Sequence, residues 1–220
     1  MTRVMTLFDS SIGRKAIMAA TGLLFFGYVV AHLLGNLQIY LGPHAINSYA
    51  EKLHAVPPLL WAARLTLLLA LVLHIWAATA LTLTNWRARP MGYRRQRYVS
   101  ADYASRTMIW SGPLLALFIL FHLAHLTWGT VHPDFRPGDV YHNVVVGFQN
   151  PWVAGFYIVA MLALGLHLYH GLWSMLQSVG VNHPGYNTLR RIFAVAFTVF
   201  LVGGNISIPV AVLSGFLRVR

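Results

Sequence analysis

Five apolar runs, Ala16–Tyr40, Leu59–Leu83, Thr107–Thr130, Trp152–Ser178 and Ile192–Phe216, are each long enough to cross the hydrocarbon core of a bilayer as an α-helix. Irregular chain facing lipid has no water for its N–H and C=O groups, so helices are the form such runs take. They predict an all-α integral membrane protein with five transmembrane helices, I to V, in a single domain over residues 1–220. Pro57-Pro58 opens II, Asn150-Pro151 opens IV, and Asn182-His183-Pro184-Gly185 separates IV from V. Pro113 and Pro209 fall inside III and V and are expected to kink them. The net charge of +11 sits between the apolar runs and forms no basic face, which argues against nucleic acid as a partner. With no cysteine, the chain has no ligands for an iron–sulfur cluster and no covalent haem attachment. No short apolar region with a small-residue cleavage site precedes the first run, so no removable signal is read.

The flanking Lys and Arg residues set the expected orientation. With the N-terminus inside, Arg3, Arg14, Lys15, Arg87, Arg89, Arg94, Arg95, Arg97, Arg106, Arg190 and Arg191 lie inside, against Lys52, Arg64, Arg136, Arg218 and Arg220 outside. The N-terminus is therefore expected inside and the C-terminus outside. The richest basic segment, WRARPMGYRRQRYVSADYASR, joins II to III on the inside. The positive-inside rule accounts for it, and a docking surface for a soluble partner is the functional alternative. The longest loops are too short to build a separate soluble domain.

Histidine marks four of the five runs: His32 in I, His74 in II, His122 and His125 in III, His167 and His170 in IV. Counting rise along helices of alternating direction puts His32 and His122 in the outer half, with His74 and His167 nearer the inner side. Two histidines at each of two depths, drawn from different helices, match what two bis-histidine b-type haems require. The acids Asp9, Glu51, Asp102, Asp134 and Asp139 all lie outside the runs, so zinc and di-metal sites have no carboxylates beside the histidines. A proton relay would ordinarily need intramembrane carboxylates as well. Depth does not separate His167 from His170, but neighbours do. Ala160, Ala163, Gly171 and Ser174 share a face with His167, whereas Leu166 and Trp173 crowd His170. Ala70, Ala77 and Ala78 beside His74, and Gly35 beside His32, offer similar small faces, which close helix packing would also use.

The words SIGRKAIMAATGLLFFGYVVAHLLGNL in I, SGPLLALFILFH in III and GFYIVAMLALGLHLYHGLWS in IV resemble the two-haem cytochrome b membrane subunit of succinate:quinone oxidoreductases, including fumarate reductases. The resemblance runs through nearly the whole chain in helix number and histidine order. It implies His74 and His167 as iron ligands of the haem proximal to an iron–sulfur subunit, and His32 and His122 as ligands of the distal haem. His125 and His170 are additional to the pattern, with haem-supporting hydrogen bonds as the expected role. The implied function is an electron-transfer anchor, taking electrons from a flavoprotein (FAD) and an iron–sulfur subunit of succinate dehydrogenase to a membrane quinone, with menaquinone expected. No dicarboxylate chemistry belongs to this chain. The implied location is the inner (cytoplasmic) membrane of a prokaryote, in contact with lipid, and a higher oligomer of the complex is compatible. His44, Tyr49, Glu51 and His54, in the outer I–II connection, form the candidate quinone region. Arg14, Lys15 and Arg106 are candidates to pair with haem propionates or the partner subunit. The rivals are a cytochrome b of another quinone-linked dehydrogenase and a haem-free, histidine-lined transporter.

Overall fold

The computed structural model describes residues 8–88 and 103–219. Arg3, Arg89, Arg94, Arg95, Arg97, Asp102, Arg220 and most of the basic segment between II and III lie outside the described residues. The described residues form seven α-helices and no strand. They are α1 Ser11–Asn36, α2 Pro43–His54, α3 Pro57–Arg87, α4 Tyr103–Leu126, α5 Val140–Gln149, α6 Pro151–Ser178 and α7 Asn187–Leu213. Five of these carry segments long and apolar enough to cross a membrane, those of α1, α3, α4, α6 and α7.

Local chemistry starts and stops them. The Ser10 hydroxyl accepts from the Gly13 N–H at 2.9 Å and the Asn150 side chain from the Trp152 N–H at 3.0 Å, each satisfying an N–H that the helix leaves unpaired. Proline occupies the first turn of α2, α3 and α6, where a missing N–H costs nothing. The expected third span ran to Thr130, but α4 ends at Leu126. Both Thr127 and Trp128 turn back onto the Leu123 carbonyl, and Gly129 takes φ +71 with the Phe135 ring packed where a Cβ would stand. Pro113 and Pro209 lie inside α4 and α7 without interrupting them.

Two helices occupy connections that the sequence marked as loops. Helices α2 and α5 pack on each other at one end of the bundle, and α5 packs also on α6 and α7. The main buried core lies at this end, with Ile39, Ile46, Phe118, Val145, Phe148, Tyr157, Ile208 and Val212 in one cluster. Elsewhere Leu65, Leu68 and Val72 of α3, Leu117 and Leu120 of α4, and Val195 and Val199 of α7 face outward, as a lipid environment requires.

Polar contacts pin the cap. Asp139 Oδ1 accepts from the His142 N–H at 3.0 Å, capping α5, and from Asn47 Nδ2 at 2.9 Å, while Asn47 Oδ1 accepts from the Tyr141 N–H at 3.0 Å. Partial burial pushes the Asp139 carboxyl up, but these hydrogen bonds and the nearby His142 and Arg136 outweigh it and hold it below the ordinary value. Asp134, hydrogen-bonded by His142 Nε2 at 2.9 Å and paired with Arg136 at 3.1 Å, is lowered as well. Both carboxyls therefore contribute stability that is complete above about pH 4 and is lost as pH falls through their lower folded values. Asp139→Ala should cost about 1 kcal/mol in denaturant unfolding at neutral pH, the usual worth of such a cap. The gap between variant and wild type should close on acidification below about pH 4. A gap that is constant down to pH 2 would refute the assignment.

Candidate functional site

Helix α1 packs along α3 and also on α6, and α4 packs along α6. Among the described residues α3 does not pack closely on α4 or α6, nor α1 on α4. Between helices that do not pack closely on one another, the imidazoles meet in two pairs. His32 of α1 faces His122 of α4 with ring centroids 5.8 Å apart, and His74 of α3 faces His167 of α6 at 6.3 Å. These are the two pairs of residues expected from the sequence.

Hydroxyls fix the depth and orientation of the rings. Thr21 Oγ1 lies 2.9 Å from His74 Nδ1 and donates its own proton to the Ile17 carbonyl at 2.8 Å. It can therefore only accept from His74, which places the imidazole proton on Nδ1 and leaves the Nε2 lone pair for a metal. Ser111 Oγ stands 3.2 Å from His167 Nδ1 and plays the matching part from α4. At the other pair, Tyr157 OH lies 3.3 Å from His122 Nδ1 and 3.0 Å from His125 Nδ1. With one proton to give, the phenol accepts from one ring and donates to the other. Accepting from His122 leaves the His122 Nε2 lone pair free in the same way.

The spacing of these partners measures the distance between the pairs. Thr21 precedes His32 by eleven residues on α1, Ser111 precedes His122 by eleven on α4, and Tyr157 precedes His167 by ten on α6. Three helices thus agree on about 15–17 Å along the bundle. Eleven residues make just over three full turns, so the hydroxyl and the histidine share a face. That repeat was available in the sequence as a signal for Thr21 and Ser111. Nothing comparable marked Tyr157, His132 or His142, whose roles come from long-range packing.

The two pairs would suit bis-histidine ligation of haem iron. Two imidazoles bound to one metal at about 2.0 Å per nitrogen have ring centres about 6 Å apart. Beside His167, a Cβ at Gly171 would meet nothing within 4 Å, and one at Gly22 would come no closer than 3.9 Å to the His74 ring. Among the described residues no three His, Cys, Asp or Glu side chains converge as they would around zinc.

Other expected site residues are distributed differently. Ala70 and Ala77 are buried on α3, whose close partners are α1 and α2, so they serve helix packing. At Gly35 the Tyr49 ring fills the space, with Cε1 2.7 Å from where a Cβ would stand. Tyr49 thereby sits one turn from His32, whereas His44, Glu51 and His54 are exposed and His54 bonds the Ala50 carbonyl at 2.8 Å. His125 is fully buried, stacked on Phe121 and on His132, and reaches His122 through Tyr157. Arg14 ties the start of α1 to the Phe8 carbonyl at 2.9 Å and to Thr84 of α3 at 3.1 Å, while Lys15 and Arg106 are exposed.

Fold and side chains together define a class: a multi-pass helical membrane protein built around paired histidines. The model of the succinate dehydrogenase/fumarate reductase transmembrane subunit family matches residues 85–203, and the chain belongs to that family. This is the membrane cytochrome b component of succinate:quinone oxidoreductase, an enzyme complex of respiratory electron transport. The matched segment contains His122, His167, Ser111 and Tyr157; the words quoted from helix I lie outside it. No match was found among curated proteins or among solved structures.

Proposed function

We propose that the chain conducts electrons from an iron–sulfur subunit to a membrane quinone through two b haems, ligated by His74 with His167 and by His32 with His122. The observation that carries this reading is the pair of imidazole pairs, 6.3 and 5.8 Å between ring centroids, stacked along the bundle. When bound, a bis-imidazole haem supplies reversible one-electron transfer at iron. The protein's own contribution is positional. Thr21 and Ser111 hold the Nδ1 atoms of one pair, and Tyr157 holds that of His122. Lipid-facing Leu and Val side chains around α3, α4 and α7 keep water from the interior.

In this reading a soluble flavoprotein oxidises succinate to fumarate, releasing two electrons and two protons. A quinone, with menaquinone as the expected species, takes up two of each to become quinol. The His74/His167 end faces the iron–sulfur partner on the inside of a prokaryotic cytoplasmic membrane, with the N-terminus inside and the C-terminus outside. The His32/His122 end, capped by α2 and α5, adjoins the quinone region, where the Tyr49 ring packs at Gly35, one turn from His32. His170 is assigned a supporting hydrogen bond near the inner haem, and His125 supports His122 through Tyr157.

The test is a haem count with a reduced-minus-oxidised spectrum of the purified complex: two b haems per chain, reduced by succinate, are expected. Absence of b-type absorbance would defeat the reading in favour of a haem-free transporter. Reduction by another dehydrogenase's donor but not by succinate would defeat the succinate assignment. Thr21→Val and Ser111→Ala each remove the oxygen that holds an Nδ1 proton. Each should keep two haems while shifting the potential of one, since outer partners of metal-bound histidine tune ligand basicity. Unchanged potentials in both variants would show that these hydroxyls do not set the ligands.

A further inference from the structure

Arg190, in the first turn of α7, is only 4% exposed. Its guanidinium lies over the Trp173 ring of α6, 4.3 Å from the centroid. Nη1 donates to the Val181 carbonyl at 2.6 Å and Nη2 to Asn187 Oδ1. None of these partners is an anion. Nε is buried and, among the described residues, has no hydrogen-bond partner. A buried cation with an unmatched N–H carries a desolvation cost that a carboxylate placed against it would remove.

Helix packing locates this cation relative to the histidines. Phe26 of α1 packs on Phe193 and Phe197 of α7, with centroids 6.3 and 5.2 Å apart. Spans α1 and α7 run in the same direction, because the spans alternate. Arg190 lies one turn before Phe193, and Thr21, the partner of His74, lies five residues before Phe26. Both steps are about 4–8 Å along parallel helices, so Arg190 and the His74 hydrogen bond share a depth. On α6, Trp173 follows His167 by six residues, about 9 Å toward the α6–α7 turn. Arg190 is thus a buried cation within one or two helical turns of the His74/His167 pair, with one N–H to offer. Arg14, a candidate from the sequence for a propionate or the partner subunit, has Nε and Nη1 hydrogen-bonded to Phe8 and Thr84.

We propose that Arg190 Nε donates to a propionate carboxylate of the haem held by His74 and His167, an inference that rests on the haem reading above. A haem propionate supplies the negative charge, and the stacked guanidinium presents the N–H in a fixed plane. Trp173 and the Val181 carbonyl keep the fork from rotating away. Arg190 then acts as a positioning residue for the macrocycle and as a fixed positive charge beside it, favouring the reduced iron.

The experiment compares the complex carrying wild-type chain, Arg190→Gln and Arg190→Lys by haem count, spectroelectrochemical titration and thermal stability. Arg190→Gln should bring the count from two haems per chain toward one; any inner haem retained should have a lower potential, with the other haem unmoved. Arg190→Lys keeps the charge without the planar fork and should retain both haems with one potential shifted. It also serves where the Gln variant does not accumulate. In a His122→Ala background, which leaves the inner haem, the shift should persist; in a His167→Ala background it should vanish. A variant set with lower thermal stability but unchanged haem count and potentials would overturn the proposal, leaving Arg190 as a tie between α6 and α7. A wild-type complex devoid of b haem would instead overturn the haem reading itself, so the two failures are distinguishable.

Discussion

His167→Ala is expected to remove one haem of two, and His170→Ala to remove none. The His167 ring faces His74 across the helix layers at 6.3 Å, and Ser111 holds its Nδ1 at 3.2 Å, so its removal leaves His74 with no partner across the gap. A haem held by this pair would lose one of its two protein ligands and its anchor to α6. The His170 Cα lies about 4.5 Å further along α6 and is rotated by about 60° from that of His167, with Leu166 and Trp173 beside it. A supporting group so placed changes a potential before it changes a stoichiometry. Pyridine haemochrome assay against protein concentration decides between them. Equal loss in the two variants would defeat the ligand assignment, and His122→Ala should reproduce the loss of one haem from the other pair.

Gly147→Val is expected to damage the distal end and spare the inner one. A Cβ at Gly147 would stand 2.7 Å from His125 Cε1, 2.8 Å from His125 Nε2 and 3.1 Å from His132 Nε2. Neither ring has room to yield. His125 is stacked between Phe121 and His132 and held by Tyr157; His132 Nε2 donates to the Asn143 carbonyl at 2.8 Å while its Nδ1 accepts from the Asp134 N–H at 3.1 Å. Overpacking of this kind costs about 1–3 kcal/mol. Displacing His125 also displaces Tyr157, and with it the hydrogen bond that orients His122. A lowered Tm and a selective loss of the distal haem should therefore appear together, with the inner haem retained. Wild-type stability with both haems bound would show that the α5 cap and the His122 pair are uncoupled.

The pairing of His32 with His122 and of His74 with His167 was legible because a helix converts residue number into height, and alternating directions sort heights into layers. The choice of His167 over His170 rested on the same rule applied to angle, through Ala163 and Gly171. Small residues alone were ambiguous. Ala77 and Gly35 carry the same pattern, yet one packs into the α1–α3 contact and the other receives the Tyr49 ring. Helices α2 and α5 were missed because each is short and weakly apolar or flanked by breakers, so its helix depends on packing over the bundle end more than on its own propensity.

By itself the sequence determined the five spans, the absence of thiolate ligands and the two levels of histidine. Each follows from a property counted along one chain direction: apolar length, composition, or rise per residue. Tertiary structure alone decided that Tyr157, His132 and His142 join the hydrogen-bonded network, and where the buried charge lies. Tyr157 reaches His122 and His125 from thirty-five and thirty-two residues away, His132 and His142 enter the cap through Asn143 and Asp134, and Arg190 is buried against Trp173. Such contacts depend on how helices rotate and approach one another, and side-chain packing between layers sets that approach.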